Sequence, residues 1–295
     1  MATYLGSIKT TLLSILALLA FAANSVLCRL ALEGEQMDAA NFTAIRLLSA
    51  AAILVLLLFG LGRTTINKLG TQGSWKAAFY LLAYAAGFSY AYISLPTAAG
   101  ALILFASVQF TMLGMDRLSG KEMTWLENLG IVISLAGLAY FLLPGLVDSK
   151  LAMDDMSGIL FMSLAGVGWG FYSLSGAGSV KPMQDTAANF IRLAPIALAI
   201  LLFSSPLLES SSQGVGYAVA SGALTSGLGY TLWYQVLPKL GTRVAAVCQL
   251  SVPIWAALGG VLLVGEPLEH HLLISGSIIL GGILLVVVGR PGNLN

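Results

Sequence analysis

Read as apolar and polar positions, the chain is a succession of hydrocarbon-like runs cut by brief clusters of charge, glycine and proline, and the runs number ten. Their approximate spans are 11–32, 39–61, 75–95, 98–118, 123–143, 156–177, 184–205, 215–236, 242–264 and 268–289. Each is close to the about 20 residues that an α-helix needs to cross roughly 30 Å of bilayer core. The pattern therefore predicts an all-α integral membrane protein with ten transmembrane helices. Several boundaries have a physical reason. "LPTAAG" (Leu95 to Gly100) and "LPKLGT" (Leu237 to Thr242) are expected to be tight breaks, proline stopping one helix and glycine letting the chain turn. "GEP" (Gly265 to Pro267) puts a carboxylate and a proline where the last helix is expected to start. Lys9 before an apolar stretch and the small residues of "LAFAAN" (Leu19 to Asn24) imitate a secretion signal, but the apolar run continues to Leu32 and the first helix is expected to be retained.

Two of the runs resemble each other: "ANFTAIRLLSAAAILVLLLF" from Ala40 and "AANFIRLAPIALAILLF" from Ala187, each with one arginine. Arg46 and Arg192 are 146 residues apart, the "LP" pairs at Leu95 and Leu237 142, and Glu122 and Glu266 144. Three landmarks in different segments thus agree to within four residues. The reading is two five-helix repeats, residues 1–148 and 149–295, joined by the polar linker "DSKLAMDDM" from Asp148 to Met156. Five is odd, so the second copy is inverted in the membrane, a plan shared by many secondary transporters.

Charge sets the orientation. With an inside N-terminus, ten of the 14 Lys and Arg (Lys9, Arg63, Lys68, Lys76, Arg117, Lys121, Lys181, Lys239, Arg243 and Arg290) lie inside, against Arg29 and Lys150 outside. Both termini are thereby expected in the cytoplasm. Composition sharpens the class: 58% apolar and 9% charged residues leave too little charge for a water-soluble surface. A net charge of +1 without Lys/Arg clusters argues against a nucleic-acid partner. Cys28 and Cys248 lie in apolar runs with no metal-ligand spacing, and neither metal nor cofactor is expected. His270 and His271 are adjacent at a loop, no acid sits at a predicted midplane, and an enzyme is therefore not the reading.

The intramembrane arginines are the conspicuous chemistry, since a cation at the bilayer centre costs about 2.5–3.5 kcal/mol on insertion scales. Each lies about two turns from a helix end, where a long side chain can snorkel or reach the free carbonyls of a neighbouring helix. Duplication in both halves favours a symmetric packing clamp over the alternative, a residue of the solute pathway. Arg29 has Ser175 as its counterpart and occurs once; it is a candidate for meeting an anionic group of a solute, or a cation placed at a helix C-terminus.

The order of ten helices in two inverted copies, "GWG" at Gly168 to Gly170, an "IRL" in the second helix of each copy, and "GEPL" before the last helix resembles the EamA-type permeases of the drug/metabolite transporter superfamily. The resemblance covers nearly the whole chain. It departs where the first copy has Ala23-Asn24 for the expected Trp-Gly and Gln109 for the expected proline, while the second keeps Pro253. It implies that helices 1, 3, 4 and 6, 8, 9 line a central cavity, and it points to export of amino acids or related metabolites across the cell (inner) membrane. The residues themselves agree: Tyr84, Phe88 and Tyr92 share one face of helix 3, and the repeat maps them onto Ser226, Tyr230 and Tyr234. Asn24, Gln109 and Gln249 offer amides; Trp169 and Tyr172 offer broad faces with polar edges. Such a pocket, without a buried carboxylate, suits a small neutral or zwitterionic solute. With no titratable group expected at the midplane, movement by alternating access down the solute's gradient is predicted. Drug or nucleotide-sugar transport on the same fold, with proton or Na⁺ coupling, is the neighbouring alternative; a channel or scaffold is the one outside the class.

Overall fold

The computed structural model describes residues 2–62, 70–118, 120, 124–147, 153–204, 210–249, 251–267 and 270–289. The chain there is helical throughout: α1 (Ala2–Leu32), α2 (Ala39–Gly60), α3 (Trp75–Ala91), α4 (Thr97–Leu118), α5 (Trp125–Val147), α6 (Met153–Gly176), α7 (Pro182–Phe203), α8 (Ser212–Ala220), α9 (Gly229–Gln249), α10 (Val252–Gly259) and α11 (His270–Val288). A π-helical stretch, Ser221–Leu228, joins α8 to α9, and a second, Gly260–Val264, extends α10. The repeat boundary at 148 and 149, most of the linker, Arg63, Lys68, Lys121, Glu122, Lys150 and Arg290 lie outside the described residues.

Five of these helices are long and apolar enough to cross a membrane, namely Ile8–Leu32, Ala39–Gly60, Thr97–Met115, Met156–Gly176 and Pro182–Phe203. Trp125–Gly137, Val252–Val264 and His270–Val286 are shorter apolar helices. Large apolar side chains such as Leu56, Phe79, Leu202, Leu262 and Val288 stand exposed on the outside of the bundle. Such a surface is stable against hydrocarbon, not water.

The helix starts follow local chemistry. Asp38 accepts from the Asn41 N–H at 2.9 Å, Ser74 from Ala77 at 3.0 Å and Ser211 from Gly214 at 2.9 Å, each satisfying one of the four N–H groups that a helix start leaves unpaired. Thr124 and Glu127 form a reciprocal capping box, with the Thr124 N–H donating to Glu127 Oε2 at 2.6 Å and the Glu127 N–H to Thr124 Oγ1 at 3.3 Å.

Two boundaries differ from the sequence reading. The break at Leu95 is present, between Ala91 and Thr97, but that at Leu237 is not: helix runs unbroken through Pro238 to Gln249, and the chain turns at Ser251. Proline removes one i→i−4 bond and kinks a helix, yet neighbouring segments can hold the helix on either side of it. Glu266 does not cap the helix that follows it. The chain turns at Gly265 (φ 82°), and the carboxylate accepts instead from the Thr97 N–H at 2.9 and 3.0 Å and from Thr97 Oγ1 at 3.0 Å, capping α4 from across the bundle. His270 and His271 open α11, inside the predicted span 268–289, and the His271 ring lies 4.6 Å from that of Tyr140.

Packing places α1, α3, α6 and α9 around a shared core, with α2 lying against α7 and against the π-helical stretch. Helices α5 and α11 form a peripheral pair brought close by small residues. At Gly130 an added Cβ would meet the Gly282 carbonyl, and Ser134 Oγ donates to the Ile279 carbonyl at 3.2 Å.

Candidate functional site

Deep in the bundle polar side chains of four helices meet in two hydrogen-bonded groups joined by aromatic contacts. Asn24 on α1 donates from Nδ2 to Tyr84 Oη on α3 at 3.1 Å, and its Oδ1 accepts from Ser221 Oγ at 2.6 Å and Thr225 Oγ1 at 2.9 Å. Tyr230 Oη on α9 donates to Tyr84 Oη at 3.0 Å and accepts from Ser226 Oγ at 3.2 Å. Trp169 on α6 donates from Nε1 to Gln249 Oε1 at 3.1 Å. Aromatic faces close around these groups: Trp169 lies 4.9 Å from Tyr84, 4.6 Å from Tyr230 and 5.1 Å from Phe21 between ring centroids. Tyr172 and Tyr234 meet at 5.0 Å, Tyr234 Oη donating to the Tyr172 carbonyl at 2.8 Å.

Glycine sets the approach distances. Gly168 and Gly170 flank Trp169; a Cβ on the first would stand 2.9 Å from the Tyr84 backbone nitrogen, and on the second 2.9 Å from Thr111. The "GWG" therefore lets α6 lie against α3 and α4 at once while the indole points between them. Gly222, in the π-helical stretch, does the same for α2, since a Cβ there would collide with Ser49 Oγ and the Arg46 carbonyl. The π stretch carries Ser221, Thr225 and Ser226, the hydroxyls that reach Asn24 and the arginine described next.

Arg46 is 1% exposed and does not snorkel. Its Nε donates to Ser226 Oγ at 3.0 Å and its Nη2 to Tyr230 Oη at 2.7 Å, while the guanidinium carbon lies 5.0 Å from the Tyr84 ring centroid and 4.8 Å from that of Phe88. Nη1 is buried without a partner. Arg192 is half-buried, donates from Nη2 to the Gly70 carbonyl at 3.2 Å and lies 5.9 Å from the Trp75 ring. The expected symmetric clamp is thus a carbonyl clamp in the second half alone. In the first half the π-helical stretch, with Gly222 and Ser226, lets the arginine turn inward.

Of the sequence-predicted site residues, Asn24, Tyr84, Phe88, Trp169, Tyr172, Ser226, Tyr230, Tyr234 and Gln249 come together in this core. Tyr92 touches Phe88 at 4.8 Å but directs its hydroxyl to the Thr97 carbonyl at 3.2 Å. Gln109 is buried on α4. Arg29 stands apart from the cluster: its Nε pairs with Glu266 Oε1 at 3.2 Å, its Nη1 donates to the Tyr92 and Ile93 carbonyls at 3.0 and 3.3 Å, and Glu33 lies 3.8 Å from Nη2. Its guanidinium is occupied in joining α1 to the end of α3 and the start of α4. Phe21, Phe190, Thr225 and Trp233 belong to the core and were missed, and Arg46, read first as a clamp, belongs to it too. Phe21 and Trp233 sit in plainly apolar sequence with nothing to set them apart; the intramembrane charge of Arg46 was the available signal.

Beside the core a cavity of about 410 Å³ is lined by Ser179, Met183, Thr231, Gln235 and Lys239 among others. Thr231 and Gln235 lie one residue on from Tyr230 and Tyr234, so the cavity and the core occupy adjacent faces of α9. Among the described residues no group of three His, Cys, Asp or Glu is placed to hold a metal ion.

Comparison with known proteins agrees with this architecture. The EamA-like transporter family matches residues 156–288. An uncharacterized protein of Pseudomonas aeruginosa is 43% identical over 284 residues, covering 96% of both chains. The threonine/homoserine exporter RhtA of Escherichia coli K12 is 32% identical over 154 residues, half of each chain, and an uncharacterized transporter of Bacillus subtilis, YoaV, is 21% identical over 255 residues, 83% of this chain and 85% of that one. A solved crystal structure shares the fold at a TM-score of 0.66 and 17% identity, covering 95% of this chain and 97% of its own. With a multi-pass apolar helical bundle, a buried polar and aromatic core, and relatives that are transporters, the chain belongs to the EamA-like transporter family, the EamA-type permeases of the drug/metabolite transporter superfamily.

Proposed function

We propose that this transporter carries small zwitterionic metabolites, amino acids above all, outward across the cell membrane by alternating access around the aromatic core. The observation that carries the reading is the network Asn24–Tyr84–Tyr230 with Trp169–Gln249, which sits where α1 and α3 meet α6 and α9. Amide, hydroxyl and aromatic groups converging in a buried site are the groups that orient a small organic solute. The name of RhtA, a threonine/homoserine exporter, supports amino acids as the class.

Two inverted five-helix repeats, 1–148 and 149–295, remain our reading of the topology, and the packing supports it. α3 packs on α6 as the α8–α9 segment packs on α1, and α4 packs on α6 as α10 packs on α1. Those are the pairs that a two-fold axis in the membrane plane exchanges. Orientation by charge puts both termini and the 410 Å³ cavity on the cytoplasmic side, and Arg29–Glu266 on the outer side.

Transport is facilitated in this reading, without ion coupling. Asp38 and Glu127 cap their own helices, Glu266 caps α4, and Asp185 accepts from the Gly73 N–H at 3.0 Å, so each of these acids is committed at a helix end. Proteoliposomes test both parts. Replacing Tyr84, Trp169, Tyr230 and Gln249 together by Ala should abolish amino-acid counterflow at equal protein in the membrane; wild-type flux in that variant would sink the site. Concentrative uptake driven by an imposed pH or Na⁺ gradient would sink the uniport reading.

A further inference from the structure

A guanidinium carries five N–H donors, no acceptor, and a charge that it keeps in proteins. Arg46 uses Nε and Nη2, and leaves Nη1 buried and unpartnered. The groups facing it are the Tyr84 and Phe88 rings, the Tyr84, Ser226 and Tyr230 hydroxyls and the Cys28 thiol; among the described residues none is a carboxylate. A buried cation without a counter-charge is costly, and neutral hydroxyls and ring faces offset only part of that cost. A clamp needs no such arrangement, as Arg192 shows with a backbone carbonyl at a half-buried position.

A second donor-only group in the same core is also unsatisfied. Trp233 Nε1 is buried without a partner, and its ring lies 5.4 Å from Phe21, which in turn touches Tyr230 at 5.9 Å and Trp169 at 5.1 Å. The uncompensated positive charge of Arg46 and its unpaired Nη1 call for an acceptor that is also an anion. One charge and few donors fit a monoanionic carboxylate better than a phosphate, whose two charges and three oxygens need more partners.

We propose that Arg46 is the carboxylate anchor of the transported solute, pairing through Nη1 with the acid group while the aromatic faces take the rest of the molecule. This rests on the reading of the core as the solute site and deepens it: solutes without a carboxylate are rejected, whatever their apolar part. The cavity at Thr231 and Gln235 lies on the adjacent face of α9, one residue from Tyr230.

The test uses the purified full-length protein, measuring thermal stabilisation in detergent and competition in proteoliposome counterflow. The probes are leucine, phenylalanine and 3-phenylpropionate, each against its primary amide, with inorganic phosphate alongside. For the wild type the acids should act at concentrations at least about tenfold below the amides, because a charge-assisted hydrogen bond to a buried group is lost with the charge. Arg46→Lys should keep a weakened preference, and Arg46→Gln should respond to acid and amide alike. Equal action of acid and amide on the wild type overturns the anchor while leaving the amino-acid reading intact, and that comparison needs no variant to fold. Action of 3-phenylpropionate alone upholds the anchor and overturns amino acids as the solute. Phosphate acting in place of the acids overturns the carboxylate assignment, and silence from every probe overturns both readings.

Discussion

Arg46 and Arg192 lie in two stretches of similar sequence, and the structure surrounds them with different groups. Arg192 reaches a backbone carbonyl at Gly70 and rests against an exposed indole, Trp75. Arg46 turns into the core, shares its hydrogens with Ser226 and Tyr230 and spreads over two rings. The neighbours make the difference. Opposite α2 lies the π-helical stretch, where Gly222 has no side chain and Ser226 offers a hydroxyl. Opposite the start of α7 lies the loop before α3, where Gly73 at φ 61° brings backbone close to Asn189 and Asp185. Of two cations in similar stretches, only Arg46 is enclosed by groups that leave it a free valence.

The largest expected contrast is between the two arginines themselves. Arg46→Leu should lower counterflow by at least about 100-fold while costing no more than about 1 kcal/mol in stability, because removing a buried, uncompensated charge relieves a desolvation penalty. Arg192→Leu should leave flux near wild type and cost about 0.5–1 kcal/mol, the range of an exposed ring stacking and one hydrogen bond. Flux assays and thermal denaturation in the same detergent check both. Matching losses of stability with unchanged flux in both variants would restore the symmetric clamp.

Next come the glycines that set the two environments. Gly222→Val drives side-chain atoms into the Arg46 carbonyl and Ser49 and forces α2 away from the π stretch; a loss of about 2–3 kcal/mol is expected, as for overpacking in a tight core, with flux falling in step. Gly73→Ala strains a positive φ and meets Asn189 Oδ1, and should cost about 1–2 kcal/mol with flux per folded molecule unchanged.

Tyr230→Phe removes the acceptor of Arg46 Nη2 and should cost about 1–3 kcal/mol, against about 1 kcal/mol for Tyr234→Phe, which loses one bond to a backbone carbonyl. Denaturation midpoints of the pair measure the difference directly. The smallest effect is expected at the Arg192 end: Asp185→Asn keeps an acceptor for the Gly73 N–H but loses a negative charge in the first turn of α7, worth about 0.3–1 kcal/mol.

What could be read in advance followed from solvent and periodicity. Long apolar runs and scarce charge state that the surroundings are hydrocarbon, and helix is the only open-ended structure that satisfies its own backbone there. The four-residue spacing of Tyr84, Phe88 and Tyr92 placed them on one face, as their successive ring contacts at 5.3 and 4.8 Å bear out. Asn24, Trp169 and Gln249 were legible because an amide or indole in an apolar run needs a partner.

Direction and partnership were not legible, because they depend on what a neighbouring helix presents. Glu266 lies before α11 in sequence yet caps α4, and the solitary cation Arg29 is spent on that same junction. Pro238 ends nothing, since the surrounding helices hold its segment together. The inward turn of Arg46 rests on Gly222 and Ser226, some 180 residues away in sequence. The chain by itself determined the solvent, the helices and the kinds of chemistry available. Which arginine was left with an open valence was decided by close packing between helices distant in sequence, because the energy of a buried charge is set by the groups within a few ångströms of it and not by its neighbours along the chain.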